Sequence, residues 1–177
     1  MLHIAPEGQE HKALASMLQE SMPEILVVAR SAITSRKANG GCYGYPALLL
    51  LLAIADTIGT YVVGGNVEKH LSILNHPRYF DLRLSDADLK AIGQEYRGLL
   101  THNSVLGLNH AIEIGLGSQE PIETLATPEG AIRIIRLVPL LDKVEAAVAT
   151  FLGEDLEELV LASSVFREIK ARQGHSG

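Results

Sequence analysis

Several things are scarce in this 177-residue sequence, and each absence closes a class of explanation. Cys42 is the only cysteine. No intrachain disulfide and no cysteine metal cluster can form, and a reducing, cytoplasmic setting is the expectation. Tryptophan is absent and aromatic residues make up 5% of the chain. Positive charge is also short: the formal net charge is −6. A protein that coats nucleic acid over its whole surface is basic, so that class is excluded, while one local cationic patch is not. No internal repeat, low-complexity tract or Ser/Gly linker divides the chain, and 47% of it is hydrophobic. A single folded domain over residues 1–177, with its core at about 9–172, is expected.

Long apolar runs and metal motifs are missing as well. The greasiest stretch, Pro46–Ala55, is interrupted by Asp56. About ten apolar residues fall short of the ~20 that span a bilayer, so a helix buried on nearly all sides is expected, and no membrane association. Met1–Glu10 lacks the apolar core of a signal peptide. Neither His-Glu-x-x-His nor Cys-x-x-Cys occurs, which leaves no expected metal or cofactor. Gly40-Gly41-Cys42-Tyr43-Gly44-Tyr45 is glycine-rich, but no Gly-Lys-Ser/Thr follows and no strand precedes it, so it reads as an interhelix loop rather than a phosphate loop. Tyr43 and Tyr45 there read as packing residues or as platforms for a base.

What is present is helical periodicity. Ala13, Leu14, Met17 and Leu18 form an apolar stripe. Pro23 offers a place to interrupt and restart that helix, which continues from Ile25 to Lys37 and ends at Asn39-Gly40-Gly41. Tyr45-Pro46 opens the apolar helix, and Gly64-Gly65 stops it after about Val63. Asn66 can cap a short helix, Val67–Leu74. Ser85-Asp86-Ala87-Asp88 resembles a capping box with Asp in place of Glu, opening a helix to about Thr101. Then the period changes. Ala111–Leu116 alternates like a strand, Ile132–Ile135 can pair with it, and Gly117–Gly130 between them reads as a loop or hairpin arm. Two further helices follow, around Leu137–Phe151 and Leu156–Ile169. The expected fold is mostly α: an antiparallel up-and-down bundle of five or six helices with one small β-hairpin excursion near 111–135.

One constellation carries chemistry: Tyr96-Arg97-Gly98-Leu99-Leu100-Thr101-His102-Asn103. Arginine is always charged and its planar donors match phosphate oxygens. Histidine titrates near neutrality and can move a proton. Together they suffice to cleave a phosphodiester whose own 2′-hydroxyl is the nucleophile, without a metal. On an ideal helix, five positions rotate about 140° beyond one turn. The two side chains therefore meet only if the helix end unwinds or if two chains pair. Plainer readings stand beside this one. Arg97 can pair with Glu95, and His102 can bond the free carbonyls of a helix end. Asp56, a carboxylate in an apolar helix, needs a partner and is either structural or functional. Asn103 orients His102 or caps the next segment.

The stretch Tyr96–His102 resembles the Arg-x(4–6)-His signature of the HEPN superfamily (higher eukaryotes and prokaryotes nucleotide-binding). Gly44–Leu50 through Asp56-Thr57-Ile58-Gly59 is similar to the matching helix of prokaryotic HEPN-like proteins. The resemblance covers roughly Gly40–His102, and more loosely the helices to about Leu152. It implies a dimerising helical bundle, often a metal-independent endoribonuclease of toxin or defence type held by an antitoxin-like partner. It further implies a cleft at the dimer interface in which Arg97 and His102 act on RNA with Asp56 assisting. Tyr96 and Asn103, flanking the pair, are the substrate-binding candidates. Gly98 departs from the pattern, since many active members carry Asn or another polar residue after the Arg. Other members are inactive, and the competing expectation is a non-catalytic dimerisation or partner-binding module.

Overall fold

The structure is a computed structural model that describes residues 8–65, 67–94, 109–128 and 130–174. The first helix, α1 (Glu10–Thr34), is 25 residues long and runs unbroken through Pro23. The sequence offered Pro23 as a restart, but proline removes only one hydrogen bond here. Burial on both sides of it, at Ala15, Leu18 and Met22 and again at Ala29 and Ile33, keeps the helix whole.

Helix α2 (Gly44–Val62) is the centre of the molecule, with Ala47, Leu48, Leu51, Leu52, Ile54, Ala55, Ile58 and Gly59 buried. At 19 residues it exceeds the ten-residue apolar run read from the sequence. Among the described residues it is the one helix long and apolar enough to cross a membrane, by length and composition alone. Here α1, the later helix α5 (Leu137–Leu152) and the turn after α3 pack against it. It ends where expected, with the Gly64 N–H returning to the Gly59 carbonyl at 3.0 Å.

Helix α3 (Val67–His70) passes directly into a 3₁₀ turn, Leu71–Asn75. Gly59 makes this possible. A Cβ at that position would stand 2.1 Å from the His70 carbonyl oxygen, so only glycine lets the two backbones touch. The Asn75 side chain then holds Leu84 at both ends: its amide donates to the Leu84 carbonyl at 2.7 Å, and its carbonyl accepts from the Leu84 N–H at 2.6 Å. That staple fixes the start of α4 (Asp86–Ala91). The anticipated capping box is there, with Ser85 Oγ accepting from the Asp88 N–H at 3.2 Å and donating to Asp88 Oδ2 at 2.6 Å. The expected extension of this helix to Thr101 falls mostly outside the described residues.

The β excursion is a three-stranded mixed sheet, which corrects the simple hairpin expected near 111–135. Strands β1 (His110–Glu113), β2 (Ile122–Thr127) and β3 (Gly130–Arg136) lie in the order β1-β3-β2. The expected pairing is there, shifted to Arg133–Arg136 with His110–Glu113, but it is parallel. The antiparallel partner of β3 is β2, which lies inside the segment read as a loop or hairpin arm. Register puts Ile112 and Ile122 beside Ile135, and this isoleucine row packs on the helical core. Alternation alone could not reveal the direction of pairing.

Helix α5 follows β3 without a break, burying Leu137, Leu140, Leu141, Val144, Ala147, Val148 and Phe151. The last periodic segment is two helices, α6 (Leu156–Ala162) and α7 (Ser164–Gly174). Ser163 separates them, accepting on its hydroxyl from the Phe166 N–H at 3.1 Å. One cluster of buried apolar residues runs from Ala15 to Phe166.

Candidate functional site

Of the residues singled out for chemistry, Asp56 is described; Tyr96, Arg97, His102 and Asn103 lie outside the described residues. What can be built is the ground on either side of 95–108.

On one side stands a polar triad in an apolar setting. Asp56 and Thr60 are one helical turn apart on α2, and the Gly59 contact brings His70 against them. His70 Nδ1 lies 3.4 Å from Asp56 Oδ1 and 3.0 Å from Thr60 Oγ1. The Thr60 hydroxyl donates to the Asp56 carbonyl at 2.8 Å, so its oxygen faces His70 as an acceptor. The Thr60 oxygen thus faces Nδ1 at hydrogen-bond distance, and the Asp56 carboxylate lies within ion-pair distance of the same nitrogen. The His70 Nε2 is buried and has no hydrogen-bond partner among the described residues. Among the described residues, His70, fourteen positions later, lies within ion-pair distance of Asp56. A carboxylate in an apolar helix signalled a partner; nothing in the local pattern named it. A Cβ at Gly93 would sit 3.6 Å from Leu71 Cδ1, so the start of the chain toward 95–108 packs near the residue after His70.

On the other side stands Arg133. The Asn109 carbonyl accepts from the Arg133 N–H at 3.0 Å, and His110 is its register partner on β1. The Arg133 Nε donates to Asp88 Oδ1 at 3.1 Å, and Thr124 Oγ1 donates to the same oxygen at 3.0 Å. His110, Arg133 and Thr124 thus form one row across the sheet, on the face that also carries the isoleucines. The Ser85 hydroxyl above all, with Arg133 and Thr124 adding to it, holds the Asp88 carboxyl below its ordinary value against the opposing effect of partial burial. Asp88 belongs to α4, which precedes 95–108, and Asn109 follows it. One arginine therefore ties both flanks of that segment together.

The opposite face of the sheet has its own hub. The largely buried Arg136 donates to Glu113 Oε2 at 3.3 Å, to the Glu120 carbonyl at 3.1 Å and to Glu123. The bond to Glu123 is the main cause that raises its pKa. Gly115 (φ 73°) lies against it; a Cβ there would be 2.7 Å from Arg136 Cβ.

Beyond these lies a cleft of about 450 Å³ between the α1–α2 connection and β1, walled by Lys37, Cys42, Gly44, Tyr45, His110 and Glu113 among others. The tyrosines of the connection face solvent, with Tyr43 46% and Tyr45 49% exposed. Among the described residues, no group of three or more His, Cys, Asp or Glu side chains is arranged to hold a metal ion. No protein-family model matches the sequence, and neither curated proteins nor solved structures give a match.

Proposed function

We propose that this chain is a HEPN-like helical protein that cleaves RNA without a metal ion, through Arg97 and His102. His102 takes the proton from a ribose 2′-hydroxyl or gives one to the departing 5′-oxygen. Arg97 carries the negative charge that builds on the phosphorus-bound oxygens. The products are a 2′,3′-cyclic phosphate and a 5′-hydroxyl. The reading includes a cytoplasmic homodimer of bundles in which two copies supply the pair, and an antitoxin-like protein partner.

The observation that supports it is the anchoring of both flanks of 95–108. Arg97 is three residues beyond Gln94, a reach of at most about 10 Å, and Gly93 lies on the turn that begins after His70. His102 is eight residues before His110, a reach of at most about 28 Å. Arg133 joins the two flanks. Asp56 then assists from α2, where it lies within ion-pair distance of His70.

The test is RNA cleavage by the purified protein in EDTA, with Arg97→Ala and His102→Ala alongside. Each substitution is expected to lower the rate by at least about a hundredfold while the fold persists. Cleavage indifferent to both would remove the pair. A second reading, a non-catalytic dimerisation or partner-binding module, draws on α1, where Val27 and Val28 are 68% and 55% exposed beside Met17 at 45%. On that reading Val28→Asp abolishes association in sedimentation, and the associated wild-type protein cleaves no RNA.

A further inference from the structure

We infer that the cleft between the α1–α2 connection and β1 is a nucleotide subsite for single-stranded RNA. The inference deepens the ribonuclease reading and rests on it for the identity of the ligand. Three features carry it. The first is size: about 450 Å³ lies within the range that takes one small ligand. The second is an uncompensated cation in the wall. Lys37 is exposed and has no carboxylate within ion-pair distance among the described residues. Its ammonium stands 5.1 Å over the Tyr43 ring, which orients it. The one carboxylate in the wall, Glu113, is engaged by Arg136, so the acidic charge of the cleft is met from within the fold. The third is Tyr45, a wall residue whose ring is half in solvent, as a stacking platform requires.

These groups suit a phosphate held by Lys37 and a base stacked on Tyr45. The first turn of α2 opens beside them at Gly44, with no side-chain cap on its N–H groups. A Cβ at Gly44 would be 3.3 Å from Ile112 Cγ2, so a side chain there would push Ile112 by a few tenths of an ångström. The opposite wall begins at His110, eight residues after His102. A strand of RNA crossing the cleft would therefore lie within chain reach of the residues proposed to cut it.

The probe is a short fluorescein-labelled single-stranded oligonucleotide with 2′-fluoro sugars, which lacks the internal nucleophile, read by anisotropy. Lys37→Ala is expected to weaken binding about tenfold and to lower the salt slope by about one. Tyr45→Ala is expected to weaken it about tenfold, and Tyr45→Phe to restore it, because stacking needs only the ring. Wild-type affinity in both cleft variants, with cleavage of the 2′-hydroxyl form intact, would overturn the cleft and leave the ribonuclease standing. Weakened binding with no cleavage would keep the cleft and overturn the ribonuclease. Failure of the wild type to bind the probe would overturn the cleft whatever the cleavage assay returns.

Discussion

The two sides of this molecule are held by different forces. The helical side, α1, α2 and α5, is joined by side chains such as Leu48, Leu51, Leu52, Ile58 and Val144 that are almost wholly out of water. Its polar links, such as Arg30 to Glu145, lie at the rim. The sheet side has one apolar row, Ile112, Ile135 and Ile122, and is otherwise tied by charge: Asp88 to Arg133 and Thr124, and Arg136 to Glu113 and Glu123. Apolar burial is non-directional and indifferent to pH, whereas charge-assisted bonds fix geometry and respond to it. The rigid greasy side is a platform, and the polar side sets where the flanks of 95–108 stand.

The comparison can be broken from the helical side first. Gly59→Ala drives a methyl into the His70 carbonyl and is expected to cost at least about 3 kcal/mol, read by urea denaturation. It should also free His70 from Asp56. Leu51→Ala is expected to cost about 3 kcal/mol, by the same amount at pH 5 and pH 7.

The sheet side should yield less, and with a pH signature. Asp88→Ala loses the side-chain bond from Ser85 and the Arg133 ion pair together, about 2 kcal/mol, while the Ser85 cap on the residue 88 N–H remains. Hydrogen exchange should quicken in α4, β2 and β3 while α2 and α5 stay protected. The folded carboxyl of Asp88 titrates below its ordinary value. Its contribution is therefore complete above the unfolded value near pH 4 and is lost as pH falls through the lower folded one. Thermal melts of the wild type should show that loss below about pH 4, and Asp88→Asn should flatten it. Equal acid sensitivity in wild type and variant would sink the assignment. Arg136→Ala should quicken exchange at Glu113 and along β3, with α1 unchanged. Smallest of all on stability, Lys37→Ala should shift unfolding by under about 0.5 kcal/mol, separating its binding role from any structural one.

Much of the platform was legible in the sequence because it is written locally. The apolar density of α2, its stop at Gly64-Gly65, the Ser85–Asp88 cap and the stripe of α5 each depend on residues within a turn or two. What escaped depends on distant partners. Pro23 looked like a break until the burial on either side of it was known. The direction of β1 against β3 is not encoded in alternation. Asp56 announced a need for a partner, but His70 comes within ion-pair distance of it only because Gly59 lets α3 close on α2. Tyr96, Arg97, His102 and Asn103 rest on the sequence resemblance, and only their flanks are described.

The central claim is that the substrate's own 2′-hydroxyl is the nucleophile and that no metal is needed. It is tested most directly by mapping one cleaved phosphodiester and replacing the ribose on its 5′ side with deoxyribose, in EDTA. The account predicts that cleavage there stops while neighbouring sites are cut as before, and that unmodified RNA yields a 2′,3′-cyclic phosphate. Cleavage at the deoxyribose, or cleavage that EDTA abolishes, would contradict it.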